Sequence, residues 1–597
     1  MNRFLTFILL FLVMVVACTG NKVDEAEIKQ ANQFFESIFL DMVQDSPEFQ
    51  TRLGYKSSYD QWDDISWNRS KKNAKRAIDD LSYLHSNIDY DLLDDKTKLS
   101  YRLMEKRLER KIRSREFTLN NYPVTHRGGK HSAIPSFLIN YHAIDDEQDV
   151  KDYLGRLRNI APLMDTLVEE LRLRGEIDIV APKFVYAQAI KVCENIISGY
   201  PFEDVKKQNV IYKDFIKKLN NLDLSDPVKT RYTSEVEATL VTIVNSSYRK
   251  LIDFLSAQET ESTDNFGVWK QKNGAEYYQY QLDGYTTLGL TAEEIHEIGL
   301  SEVDRIHGEI YAIMEKTGFE GSLQDFFEFM RTDPQFYYPD NEEGRKAYLN
   351  QVSTVIDTLK ANIDQLFHGL PTIPLMIKAV EPYREKSAGI AFYQRGKADG
   401  SRPGIYYANL YTMKHMPIYK LENLAYHEAI PGHHMQISIA LEVKGMPSFR
   451  KYGGYSVYSE GWALYSETLP KEVGLYRDPY SDFGRLSGEL WRACRLVVDT
   501  GIHHYRWTRE ESIEYYRNNT ANPDGECVKM VERHIVWPGQ AVSYKIGMLK
   551  MQELRQYAET ELGENFSLKD FHDVVLQDGA MPMDVLQDVV HDWVANQ

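Results

Sequence analysis

The chain has 597 residues, enough for more than one lobe around a large core at about 150 residues per domain. With 43% hydrophobic and 26% charged residues its composition is that of a globular protein. The net charge of −18 argues against nucleic acid as a partner, because phosphate binding needs a basic face.

The chain opens with one positive charge at Arg3, followed by an almost wholly apolar run from Phe4 to Ala17. That order predicts a secretory signal peptide over residues 1–17. The run is shorter than the roughly 20 residues that cross a bilayer comfortably. Val15-Val16-Ala17-Cys18 resembles the bacterial lipobox, in which the Cys carries the lipid and becomes the mature N-terminus. The expectation is a lipoprotein of the bacterial cell envelope, facing the periplasm and tethered to a membrane only through acyl chains on Cys18. The chain has four cysteines, and Cys193, Cys494 and Cys527 remain after the anchor, too few for a disulfide framework and without a CxxC pair. They read as buried or incidental thiols with at most one bridge.

From about Asp24 to Ser256 the pattern is mostly helical, as in Thr97–Arg110 and Asp149–Arg174, where apolar residues recur at spacings of three and four. The polar stretch Gln258–Asn265 reads as a linker or exposed loop. It divides an N-terminal helical region, 18–265, from a second region, 266–597. In the second region Thr291-Ala-Glu-Glu294 is a capping-box signature and predicts a long helix from Thr291 to Lys316. Ile390–Tyr393 and Gly404–Leu410 read as two strands joined by turn chemistry at Lys397–Pro403, a hairpin in an otherwise helical chain. Helical segments follow near Glu422–Val443, Val457–Leu469, Gly484–Tyr505 and Ser543–Tyr557.

The stretch richest in chemistry is Tyr426-His-Glu-Ala-Ile-Pro-Gly-His-His-Met-Gln436. A His-Glu pair opens the zinc-peptidase motif HExxH, in which two His one turn apart hold Zn2+ and the Glu takes a proton from the attacking water. Here His427 and Glu428 match, but Pro431 stands where the second His belongs. The next candidates are His433 and His434. On a regular helix His433 points well away from His427, and His434 lies about 10.5 Å along the axis. Pro431-Gly432 supplies a distortion that brings one of them, preferably His433, back to His427. Glu460, in Tyr458-Ser-Glu-Gly-Trp-Ala-Leu-Tyr465, is the candidate third ligand; in this it resembles the thimet-type all-helical peptidases, where a Glu on the following helix completes the site. His2Glu with one open position is a catalytic zinc pattern. Glu467 reads either as a partner behind a ligand or as a solvated residue.

His427-Glu-Ala-Ile-Pro-Gly-His-His-Met-Gln436 also resembles the fingerprint of the bacterial family known as domain of unknown function 885. Asp399–Gly404, Tyr458–Tyr465, Arg495–His503 and Pro538–Gly547 match the same family. The resemblance implies a mainly α, zincin-like fold with two lobes around a deep groove and a small sheet near the metal, in a membrane-anchored lipoprotein. It implies Tyr544 as the group facing the developing oxyanion, with His503 as the alternative. Lys545 or Arg402 is a candidate to hold a substrate carboxylate. The hairpin is a candidate to bind extended peptide by strand addition, with Asn409 touching it. The function so read is a Zn2+-dependent peptidase (a metallopeptidase hydrolase) acting on short peptides, with residues 266–597 catalytic. Two alternatives stand beside it: a peptide-binding lipoprotein with a structural metal, and a zinc hydrolase of another amide such as cell-wall peptide.

Overall fold

The structure is a computed structural model that describes residues 23–381, 385 and 388–597. Cys18 and the apolar run before it lie outside the described residues. Among those residues no helix is long and apolar enough to cross a membrane.

The fold is mainly helical with one small three-stranded sheet. The elements that frame the site are α1 (Ala292–Thr317), β1 (Leu375–Ala379), β2 (Ala391–Gln394), β3 (Gly404–Ala408), α2 (Leu421–Glu428), α3 (His433–Glu442), α4 (Ser456–Ser466), α5 (Pro479–His503), α6 (Asp524–Val536) and α7 (Ser543–Leu562).

Local chemistry accounts for much of this. Thr291 caps α1, its hydroxyl accepting from the Glu294 amide while the Glu294 carboxylate accepts from the Thr291 amide at 2.8 Å. That reciprocal pair satisfies two donors the helix leaves open. The hairpin forms with Tyr393 opposite Tyr406 and Ala391 opposite Ala408. The sequence missed β1, which lies parallel to β3 and makes β3 the central strand. The expected helix over Glu422–Val443 is two helices, α2 and α3, with a sharp break between them. The Gln258–Asn265 stretch begins helical, because the preceding helix runs to Glu261. Similarly, Asp149–Arg174 is two helices, Glu147–Arg158 and Ile160–Gly175, parted at Asn159.

Packing joins distant parts of the chain. One core unites residues of the first helices, from Ala31 to Leu108, with residues from Tyr348 to Val590. A second core is built almost wholly from residues between Val124 and Leu255. A third gathers α1, α5 and α6. α1 lies along α5, and α4 lies along α7. Cys193, Cys494 and Cys527 are free and buried in these cores.

Several histidines are buried as neutral groups, His131, His142 and His572 among them. Burial pushes His131 down to about 4, His142, which also faces Arg156, to about 2, and His572 to about 3. In the unfolded chain each titrates near 6.5, so the unfolded state takes up protons first as the pH falls. Their stabilising effect is complete above about pH 6.5 and declines below it. The urea midpoint is therefore expected to drop between pH 7 and pH 5, and a midpoint unchanged over that window would contradict this account.

Candidate metal centre

α2 ends at Glu428, and Ala429 leaves helical space with φ −104° and ψ −107°. The chain turns through Ile430, Pro431 and Gly432 and re-enters a helix at His433. The Gly432 amide donates to the Tyr426 carbonyl at 2.9 Å, and the His434 amide to Ala429 at 3.1 Å. The turn is thereby folded back onto the end of α2. A Cβ on Gly432 would stand 1.9 Å from the His427 carbonyl oxygen and 2.4 Å from that of Tyr426, so only glycine fits. This close passage brings the His427 and His433 rings to 4.9 Å between centroids, at 84° to each other.

α4 is fastened to the same turn. The Trp462 indole donates to the Pro431 carbonyl at 2.8 Å. Two residues earlier α4 presents Glu460. From the far side α4 rests on α7, where a Cβ on Gly461 would lie 2.6 Å from Gly547 Cα.

Together these elements place one donor atom each from His427, His433 and Glu460 within 4.8 Å of one another. Glu460 Oε2 is 3.7 Å from His427 Nε2 and 3.5 Å from His433 Nε2. Those separations are too long for hydrogen bonds. They are near the edge, about 3.4 Å, of a tetrahedron with ligand bonds of 2.0–2.1 Å. The donor set therefore fits a small tetrahedral cation such as Zn2+.

The surroundings orient the ligands. His427 Nδ1 lies 2.8 Å from Glu467 Oε1, which directs the other ring nitrogen toward Glu460. Glu467 is buried, and its second oxygen accepts from Asn423 at 3.3 Å. Burial disfavours the His427 imidazolium, but the carboxylates of Glu460, Glu467 and Glu428 outweigh it and raise His427 to about 10. Burial likewise opposes the Glu460 carboxylate, and the two imidazoles outweigh it and hold Glu460 well below the usual range. The carboxylates of Glu428, Glu460 and Glu467 thus gather around His427, a charge arrangement that favours a cation. Glu428, next to His427 at the end of α2, is buried.

The other sequence candidates lie elsewhere or are already engaged. His434 is outside the ligand group: its Nδ1 is 3.1 Å from the Tyr393 hydroxyl, and burial, with Lys360, pushes it down to about 4. His503 uses both nitrogens on backbone, accepting from the Val268 amide at 3.2 Å and meeting the His534 carbonyl at 2.9 Å. It has nothing left to offer a substrate. Lys545 is wholly buried, with Nζ 2.7 Å from Glu302 and 2.6 Å from Glu489, so its charge is compensated within the core. Asn409 donates to the carbonyls of Glu385 and Ala388, at 2.7 and 3.1 Å, and holds the loop before β2. Arg402 is exposed in the hairpin turn, 3.4 Å from the Arg395 carbonyl. Tyr544 sits in the first turn of α7, one turn before the Gly547 contact, and its ring faces the Arg495 guanidinium at 4.6 Å.

Sequence reasoning left Glu467 without a firm role and missed Asn423 and Arg492. Glu467 lies seven residues after Glu460 on one helical run, two turns along the same face, which was the available signal.

The chain is mainly helical, and it groups donor atoms of His427, His433 and Glu460 that could hold a metal ion. The chain belongs to the family described as "Bacterial protein of unknown function (DUF885)", which matches residues 47–590. The chain is also similar to the crystal structure of a protein of Colwellia psychrerythraea described as a putative lipoprotein. That structure is 30% identical with a TM-score of 0.89, over 96% of this chain and 100% of the other. A Shewanella oneidensis protein with the same description, of unknown function, shares the fold at 18% identity, with a TM-score of 0.72 over 94% of this chain and 99% of the other. No curated protein matches the chain.

Proposed function

We propose that the chain is a zinc-dependent peptidase that hydrolyses short peptides. The observation that carries this reading is the meeting of His427, His433 and Glu460 donor atoms at tetrahedral-edge distances, with Glu428 beside them. In this proposal His427, His433 and Glu460 hold Zn2+, which when bound acidifies water and polarises the scissile carbonyl. Glu428 takes the proton from the attacking water and passes it to the leaving amine. Glu467 keeps His427 in the tautomer whose Nε2 faces the cluster. Tyr544, on the helix that braces α4, is the group offered to the oxyanion. β2 is an edge strand beside α2, which supports strand addition as the mode of peptide binding. A zincin-like arrangement with two lobes around a groove is the fold-level form of the same proposal.

We further propose that Cys18 carries a lipid and holds the protein at a bacterial membrane facing the periplasm. The apolar run, the Ala17-Cys18 junction and the description of both structural relatives as lipoproteins support this.

The test joins metal analysis to a peptide screen. The purified protein is expected to hold about one zinc per chain, to lose peptide hydrolysis on chelation and to regain it when zinc is returned. Zinc should also raise Tm, because it binds the folded chain. A chain that takes up no zinc, or cleaves peptides equally well after chelation, would refute the reading.

A further inference from the structure

α5 carries a second cluster that the hydrolytic scheme leaves unused. Arg495 is 95% buried by its 5% exposure, yet it has no ion pair or hydrogen bond among the described residues. Its Nε and Nη1 are buried without a partner, as are Nε of Arg492 and Nε of Arg533. The nearest carboxylate along its own helix, Asp499, is already engaged with the Tyr278 hydroxyl at 2.7 Å, the Gly539 amide at 2.9 Å and His534 at 2.8 Å.

Buried arginines that serve the fold look different here. Arg156 gives its donors to Gln61, His142, Thr51 and Ser58. Arg174 gives its donors to Glu170, Asn121 and Thr118. A buried guanidinium left without such partners is costly, and its neighbours make it more so. Burial and the charges of Arg533 and Arg492 push Arg495 down to about 10. Tyr544, whose ring lies 4.6 Å from the guanidinium, and Tyr516 partly offset this.

The cluster adjoins the candidate metal centre. Arg492, one turn before Arg495, has Nη2 3.9 Å from Glu467 Oε1, the same oxygen that lies 2.8 Å from His427 Nδ1. On the other side Arg495 faces the Tyr544 ring, on the helix that braces α4. We infer that Arg495, with Arg492 and Arg533, forms a subsite that takes a carboxylate group of the peptide substrate; this rests on the peptidase reading above. The unused donors match the acceptor pattern of a carboxylate, which a guanidinium engages with two parallel bonds. The group is either the free C-terminus or an acidic side chain close to the scissile bond. Arg495 thereby replaces Lys545 and Arg402 in that role, since the first is compensated and the second is exposed.

The test compares three peptides of one neutral sequence: free C-terminus, C-terminal amide, and amide with one Glu. On the zinc-loaded wild-type enzyme at least one carboxylate peptide should show a KM about tenfold or more below the neutral amide. Arg495→Met should erase that difference by raising KM for the carboxylate peptides to that of the neutral amide. Preference for the free C-terminus, or for Glu, identifies the source of the carboxylate. Calorimetric titration of the same peptides into Glu428→Gln protein, with and without Arg495→Met, reads binding without cleavage. Arg495-dependent binding in a protein that cleaves nothing would keep the subsite and remove the peptidase reading. Cleavage with equal KM for all three peptides, and binding indifferent to Arg495→Met, would overturn the subsite alone. Arg495→Met should also raise Tm by about 1–3 °C, since it removes a buried charge. A lower Tm with unchanged peptide binding would assign Arg495 to the fold and overturn the proposal.

Discussion

Glu428→Gln is expected to lower kcat/KM for peptide hydrolysis by about 10²–10⁴-fold while zinc stays bound at one per chain. The amide has nearly the shape of the carboxylate and cannot accept the proton that the attacking water must lose. Glu428 is not among the three grouped donors, so its change leaves the cation-binding set intact. Paired measurement of steady-state rates and bound metal separates the effects. Loss of both would make Glu428 a ligand or a structural group. Full activity with metal retained would remove it from the chemistry.

Gly432→Ala is expected to abolish zinc uptake and to destabilise the protein by about 3 kcal/mol or more. The added carbon would be pushed against two backbone carbonyls, those of His427 and Tyr426, and neither is the movable end of a side chain. The turn between α2 and α3 would have to open, and His433 would leave His427 and Glu460. Zinc titration and urea unfolding of the variant read the two consequences. Wild-type affinity in Gly432→Ala would show that the turn does not set the ligand spacing. Ala429→Gly at the other end of the same turn adds no atoms and should bind zinc.

The grouping of His427, His433 and Glu460 was legible in the sequence to a definite depth. His427 and Glu428 followed from an adjacent pair, and Pro431-Gly432 announced that the helix breaks. Periodicity alone could not choose between His433 and His434, because both depend on how far the turn folds back. That distance is set by contacts between the Gly432 amide and the Tyr426 carbonyl, which no spacing rule contains. The capping box of α1 and the hairpin were readable because their determinants are neighbours in sequence. β1 was not, since it has an intermittently exposed pattern and pairs in parallel with a strand far along the chain. Lys545 and Arg495 illustrate the same limit for charge. Each is a cation on a helix, and only the folded chain distinguishes them. Lys545 is met by Glu302 and Glu489 from distant helices, whereas Arg495 is met by none.

The contact between Gly461 and Gly547 sets the order in which a newly made chain can mature. Backbone lies directly on backbone there, with no side chain between to absorb a displacement. The carboxylate that completes the trio is therefore seated by a segment translated long after it. A nascent polypeptide truncated ahead of α7 would own His427, His433 and Glu460 and still lack the abutment that aims the last of them.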